Sequence, residues 1–244
     1  MAILDDIRRF WDDDAATYDD APGHHPTGAA ERAAWTAALE ALLPAAPARV
    51  LDCGAGTGFL SLMAARLGHR VTALDLSPHM LARLEAAAAA EGLDISVVVA
   101  PAHEPPDTGF DAVMERHLLW TLPDPVATLQ AWRAAAPGGR LVAIESMWGD
   151  ADPLEALRAR AWKQVGRWRG TAPDHHGPYP DEVRGALPLG TGTHPRAVAG
   201  LVAEAGWVAP RLVRLRDVEW ASTLEKRLPE RLLGVTPRFA VVAT

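Results

Sequence analysis

Apolar residues recur at helical spacing through PTGAAERAAWTAALEALL, residues 26 to 43, until Pro44 and Pro47 interrupt the run, which predicts a helix. ARVLDC follows as a short buried strand, and GFLSLMAARLG as a helix ending at Gly68. HRVTALDL is a second strand. In SPHMLARLEAAAAAEG, Ser77 suits the N-cap, Pro78 the first helical position and Gly92 the C-terminal end. ISVVVA and FDAVME supply a third and a fourth strand. PDPVATLQAWRAAA is a helix closed by PGG at 137 to 139, and RLVAIES is a fifth strand. Strands separated by helices predict a parallel sheet of βαβ units.

After residue 146 the rhythm breaks. DPLEALRARAWKQVGRW is helical in pattern, whereas GTAPDHHGPYPDEVRGALPLGTG is rich in Gly, Pro and His and reads as loop and short helix laid over the sheet. Alternation then resumes. HPRAVAGLVAEAG is a helix, PRLVRLRDVEW a strand, STLEKRLPERLLG a helical connection and PRFAVVAT a last strand. No internal repeat or low-complexity linker interrupts the chain. One domain over residues 1 to 244 is therefore expected. Residues 1 to 45 form an N-terminal helical lid in this reading, and 146 to 194 a cap insertion over an acceptor site.

Composition narrows the partners. The chain has 244 residues, 49% apolar and 23% charged, which suits a globular fold with a sizeable core. Its net charge is −7 and no basic stripe is visible, so nucleic acid is not an expected partner. A single cysteine, Cys53, rules out a disulfide within the chain. The acidic start MAILDDIRRFWDDDAATYDD lacks the basic and apolar regions of a secretory signal, and no apolar run has the length of a membrane span. A cytoplasmic protein is the expectation. The sequence leaves open whether it is a homodimer.

The chemistry concentrates in VLDCGAGTGFL, residues 50 to 60. Gly54, Gly56 and Gly58 let backbone approach a ligand and adopt positive φ. A triphosphate loop would need a Gly-Lys pair, which is missing. A dinucleotide loop fits Gly54 and Gly56, but Phe59 stands at the third glycine position, where a small residue lets helix and strand pack closely. Asp52, just before the glycines, would also repel a pyrophosphate. S-Adenosylmethionine carries no phosphate, and Asp52 could hold its ammonium through the loop or a water. Asp75 ends the second strand, where a carboxylate can accept both ribose hydroxyls. Asp52 and Gly58 together favour the sulfonium cofactor over the dinucleotide.

VLDCGAGTG, ALDLSPHML, FDAVMERHLLWTLPDP and PGGRLVAIE, in this order and spacing, resemble a class I S-adenosylmethionine-dependent methyltransferase of the small bacterial ubiquinone/menaquinone or secondary-metabolite type. The resemblance covers about residues 10 to 146. It implies an α/β Rossmann-like three-layer sandwich with a seven-stranded, mostly parallel sheet of order 3-2-1-4-5-7-6, the last strand antiparallel, and a helical or loop cap. It further implies that Asp52, Gly54, Ala55, Gly56 and Gly58 line the methionine and ribose side of S-adenosylmethionine. Asp75 would bind the ribose hydroxyls, and Leu76 and Met80 would pack on adenine. Pro101 stands where the family usually has an acid near the adenine amine, which leaves the Ala102 N–H and His103. Arg116 would lend its backbone to the methionine chain, and Tyr18 would fold over the cofactor.

Methyl transfer is an in-line displacement, so alignment and exclusion of water supply much of the rate. A hydroxyl acceptor needs a general base as well. His117, at the end of the fourth strand, is the first candidate, with a packing role as its alternative. His24, in the N-terminal loop, is a second. Trp120 lies where an aromatic acceptor would stack, and Trp148, Trp162 and Trp168 bracket the insertion, where a ring or an amine-bearing acceptor could meet them. Trp35 and Trp132 read as core. The His24–His25 and His175–His176 pairs lack metal-ligand spacing, so no metal site is expected. The expected function is methyl transfer to N, O or S of a small molecule. An NAD-dependent oxidoreductase and a cofactor-binding protein without transfer are the alternatives.

Overall fold

A computed structural model describes residues 2–20, 23–26, 28–149, 179, 181–224, 226 and 236–244, with isolated positions 157, 160, 161, 164 and 231. Strands β1 (Arg49–Cys53), β2 (Arg70–Asp75), β3 (Ile95–Val99), β4 (Ala112–Arg116) and β5 (Arg140–Ser146) alternate with helices α3 (Phe59–Arg66), α4 (Pro78–Glu91) and α5 (Pro125–Ala135). Helices α1 (Ala2–Asp14) and α2 (Ala29–Leu42) precede them. A two-residue pair, β6 (Trp148–Gly149) with β7 (Gly192–Thr193), lies outside the main sheet, and the short helix α6 (Asp181–Gly185) stands between its strands in sequence. Helix α7 (Pro195–Glu204), strand β8 (Arg211–Arg214), helix α8 (Arg216–Ala221) and strand β9 (Arg238–Ala243) complete the chain.

The main sheet has seven strands in the order β3-β2-β1-β4-β5-β9-β8. Counted without the small pair, that is the expected 3-2-1-4-5-7-6. Strands β1 to β5 run parallel, and β9 is antiparallel to both β5 and β8. Sequence and structure differ at PRLVRLRDVEW, which is a strand only as far as Arg214. Glu219 takes the Arg214 guanidinium at 2.9 and 3.1 Å and the Arg238 N–H at 2.8 Å, so the chain coils into α8 beside the sheet edge.

Alternation along the strands makes three layers. Leu51, Val113, Leu141, Ala143 and Val241 face one side, with Trp132 of α5 and Val198 of α7. Val50, Ala112, Met114, Val142 and Ala240 face the other, with Trp35 of α2, Leu60 of α3 and Val218 of α8. Leu81 and Leu84 of α4 pack with Leu62 and Ala73 on that second side. Trp35 and Trp132 are fully buried, and Cys53 is buried as a free thiol. The sequence signals around α4 hold in detail. The Ser77 hydroxyl accepts the Met80 N–H, Pro78 opens the helix and Gly92 closes it in the left-handed region. Among the described residues no helix is long and apolar enough to cross a membrane.

Gly58 shows what close packing demands of the glycine loop. Its φ is +98°, and a Cβ there would stand 2.8 Å from Leu84 Cγ, whereas one at Gly56 would meet nothing within 4 Å. Gly58→Ala should therefore cost about 2 kcal/mol or more through strain and overpacking. Gly56→Ala should cost clearly less. Urea denaturation of the two variants checks this order.

Candidate active site

The loop after β1 is pinned to the end of β2. The Leu74 carbonyl accepts both the Gly54 and Ala55 N–H groups, at 2.8 and 3.1 Å. One residue on, Asp75 Oδ2 accepts the Gly56 N–H at 2.8 Å, and Oδ1 accepts the Ser77 N–H at 2.8 Å. Positive φ at Gly54 (+65°) and Gly56 (+56°) makes this crossing possible, a conformation that costs other residues free energy. Each Asp75 oxygen keeps further acceptor capacity. Burial pushes the Asp75 carboxyl above its usual value, against the pull of those N–H groups.

Above the loop lies a cavity of about 530 Å³, within the usual range for small-molecule sites. Its floor is Gly54, Gly56, Asp75, Leu76 and Met80. Ala102 and His103 after β3, and Arg116, His117, Leu118 and Leu122 after β4, form further wall. Ile3, Leu4, Ile7 and Trp11 of α1 and the Tyr18 side chain supply the rest from the N-terminal segment.

Polar bonds fasten that segment down. Asp12 accepts from the Ser77 hydroxyl (2.6 Å) and, through its carbonyl, from His79 Nδ1 (3.2 Å). Asp19 joins three elements. Thr57 of the glycine loop donates to it at 2.7 Å, Arg83 of α4 at 3.0 Å, and His25 Nε2 lies 2.8 Å away. Its carboxyl is held at about 2, those partners outweighing its burial. The Arg116 guanidinium donates to the Gly23 carbonyl at 2.5 Å and lies 3.9 Å from the Phe59 ring centroid.

Ten of the expected residues, Tyr18, Gly54, Gly56, Asp75, Leu76, Met80, Ala102, His103, Arg116 and His117, meet at this cavity. Five do not. Asp52 is buried behind the loop, its Oδ2 bonded by the Ser61 hydroxyl at 2.6 Å. Ala55 is buried, and Gly58 abuts Leu84. His24 donates through Nδ1 to the Tyr18 carbonyl at 2.6 Å and stacks on the Tyr18 ring at 4.0 Å, an apolar face being the better place for a flat ring than an open mouth. Trp120 meets Trp148 edge-on at 5.6 Å and Tyr179 at 5.2 Å, so its ring is spent on a packed aromatic group. Trp162, Trp168, His175 and His176 lie outside the described residues.

The expectation of a lid over residues 1 to 45 singled out none of the α1 residues that line the cavity. Their signal is present in AILDDIRRFW, where Ile3, Leu4, Ile7, Phe10 and Trp11 fall on one helical face. Thr121, Pro123, Asp124, Ala127 and Thr128 also line the cavity without a local signature.

Besides His103, His117 is the histidine on the described wall. Its backbone is left-handed, with φ +59°, a strained state for a non-glycine residue. Nε2 lies 2.8 Å from the Ser146 hydroxyl, whose carbonyl is bonded by the Thr193 hydroxyl. Burial, helped by Arg116, Arg238 and His24, pushes its pKa well down, so the imidazole is neutral.

Two more buried acids stand behind the wall. Glu115 Oε2 accepts the Leu118 N–H at 2.9 Å, and Glu145 Oε1 accepts the Leu119 N–H at 3.2 Å. Burial raises Asp52 to about 7 and Glu115 to about 8, and Glu145 well above its usual value.

Residues 51–143 match a family model described as a methyltransferase domain. That stretch takes in the glycine loop and most of β1 through β5, and the sheet order is the one expected of a class I methyltransferase fold. Over 107 residues the chain is 42% identical to the ubiquinone biosynthesis O-methyltransferase of Xanthomonas oryzae pv. oryzae (strain PXO99A). The match covers 42% of this chain and 45% of that relative, so the chain spans less than half the length of the curated relative it matches. The geranyl diphosphate C-methyltransferase of Streptomyces coelicolor A3(2), solved with S-adenosyl-L-homocysteine, superposes with TM-score 0.62 at 17% identity, over all of this chain and 98% of that one. The cyclase SpnF superposes with TM-score 0.63 at 15% identity, over 97% and 94%. A methyltransferase and a cyclase thus share the architecture, and these two likenesses establish the fold alone.

The raised carboxyls have a sign that can be tested. Asp52 and Glu115 remain protonated in the fold where they would ionise unfolded, from 3.8 and 4.5 up to about 7 and about 8. Their contribution to stability is therefore full below pH about 4 and lost as pH rises towards 8. Asp52→Asn and Glu115→Gln should each flatten the fall in stability between about pH 5 and 8. Urea midpoints across that range check it.

Proposed function

We propose that the chain binds S-adenosylmethionine in this cavity and moves its methyl group to a hydroxyl oxygen of a small-molecule acceptor. The observation that carries the reading is the presence of Asp75 and a half-buried, neutral His117 on the walls of one cavity. The ubiquinone biosynthesis O-methyltransferases among the relatives support oxygen as the methylated atom and an aromatic, quinone-precursor type of acceptor.

The wall residues fit a nucleoside sulfonium. Asp75 offers two oriented oxygens for a ribose diol, and the absent Cβ of Gly56 leaves the space above the loop open. Leu76 and Met80 offer an apolar surface for the base. A dinucleotide fits less well. Arg116 is the arginine on the described wall, and its guanidinium is turned to Gly23 and Phe59 rather than offered to phosphate.

When bound, the cofactor supplies an electrophilic methyl group on a positively charged sulfur. The protein's part is to orient, dehydrate and take a proton. Asp75 fixes the nucleoside end, and α1 with Tyr18 keeps water from the cavity. His117 accepts the acceptor's hydroxyl proton, its imidazole kept unprotonated by burial and nearby arginines and set by its bond to Ser146.

Two outcomes test this. S-Adenosylmethionine or S-adenosylhomocysteine at millimolar concentration should raise the melting temperature. Asp75→Asn, which retains an acceptor for Gly56, should weaken that binding by roughly tenfold or more. No shift with either compound sinks the cofactor reading. With a phenolic acceptor and labelled methyl donor, His117→Ala should lower turnover by about a hundredfold or more with cofactor affinity little changed. The wild-type rate should also hold steady as pH falls through the ordinary imidazole range near 6.5. A variant with wild-type turnover removes His117 from the chemistry.

A further inference from the structure

Glu115 and Glu145 are fully buried on adjacent parallel strands. Glu115 stands opposite Ala143, so Glu145, two residues on, is its diagonal neighbour on the same sheet face. Both point to the side of the sheet that carries α5. Each accepts one N–H from the turn after His117, and the turn's Leu118 side chain packs on Gly54. The remaining oxygens, Glu115 Oε1 and Glu145 Oε2, are buried without a hydrogen-bond partner among the described residues. Two neighbouring carboxylates in a dry site do not both ionise, so the pair carries a proton.

Other groups face the pair. Cys53 on β1 lies directly across from Glu115, and the acids Asp52 of β1 and Asp75 at the end of β2 stand near Cys53. On the positive side stands Arg116 of β4, with Arg238 of β9 acting on it in turn. The neutral His117 continues β4. The balance at the back of the wall is acidic, and its free protons sit on carboxyls. A cation in the cavity favours the ionised form of such groups, while a neutral ligand of the same shape leaves them as they are.

We propose that the Glu115–Glu145 pair senses the charge of the ligand, releasing part of a proton to solvent when the sulfonium cation enters and keeping it when the demethylated product, which lacks the sulfonium charge, is bound. This makes the pair a determinant of cofactor over product, acting through the wall rather than by touching the ligand. It rests on the cofactor reading above. Burial raises both carboxyls, Glu115 to about 8 and Glu145 well above its usual value, so the pair holds a proton to release near neutral pH.

Isothermal titration of the wild-type protein in buffers of different ionisation enthalpy, near pH 7.5, counts the protons exchanged. S-Adenosylmethionine should release more protons than S-adenosylhomocysteine. That excess should be lost in Glu115→Gln and in Glu145→Gln, each of which keeps an acceptor for the turn. Equal proton release for the two compounds in the wild type overturns the proposal while leaving the cofactor reading intact. So does an excess retained in both variants. Absence of binding by both compounds overturns the cofactor reading itself, and the proposal with it.

Discussion

The hydrogen bond from the Gly56 N–H to Asp75 Oδ2 is the contact on which the site depends. It joins the turn after β1 to the tip of β2. It also fixes the carboxylate that would receive a ribose, so one group both builds the loop and presents the ligand contact. The cost of orienting Asp75 is met during folding rather than at binding, which is what preorganisation means in physical terms. Gly54 and Gly58 serve the same turn differently. They remove side chains that would strike Leu118 and Leu84, so packing adds to the demand of positive φ at these two, whereas at Gly56 the backbone conformation acts alone.

Closure over this floor comes from the start of the chain. Asp19 receives bonds from the glycine loop, from α4 and from the segment before α2, and Arg116 reaches back to Gly23. The segment is therefore fastened to the same elements that hold Asp75. Electrostatics divides across the sheet. Asp52 and Ser61 lie on the α3 side, Glu115 and Glu145 on the α5 side, and the cavity sits at the strand ends between the two.

Much of the fold was legible in sequence because its local signals agree with its tertiary roles. Ser77, Pro78 and Gly92 bound α4 as their chemistry requires, and the strands β1 to β5 were read from short apolar runs. The stretch from Arg211 to Trp220 was not legible, since its alternating pattern continues past the point where Glu219 gathers Arg214 and ends the strand. In the site, residues fixed by backbone geometry, such as Gly56 and Asp75, could be placed from spacing. Those whose side chains choose among distant neighbours could not. Trp120 takes Trp148 and Tyr179, His24 takes Tyr18, and nothing local announces either choice. The α1 wall was visible as an apolar stripe, yet where that helix docks is a long-range fact.

The cavity wall is unevenly drawn from the chain. Its described residues fall between Ile3 and Thr128, whereas β8, α8 and β9 lie beyond residue 210 and serve to complete the sheet. Apart from Arg238 and Glu219, substitutions in that last portion mainly meet one filter, the packing of apolar faces, which many residue combinations satisfy. Those in the first portion must satisfy packing and ligand chemistry at once. The two portions should therefore drift at different tempos over evolutionary time, the closing strands faster, and likeness to distant relatives should fade first from the C-terminal end.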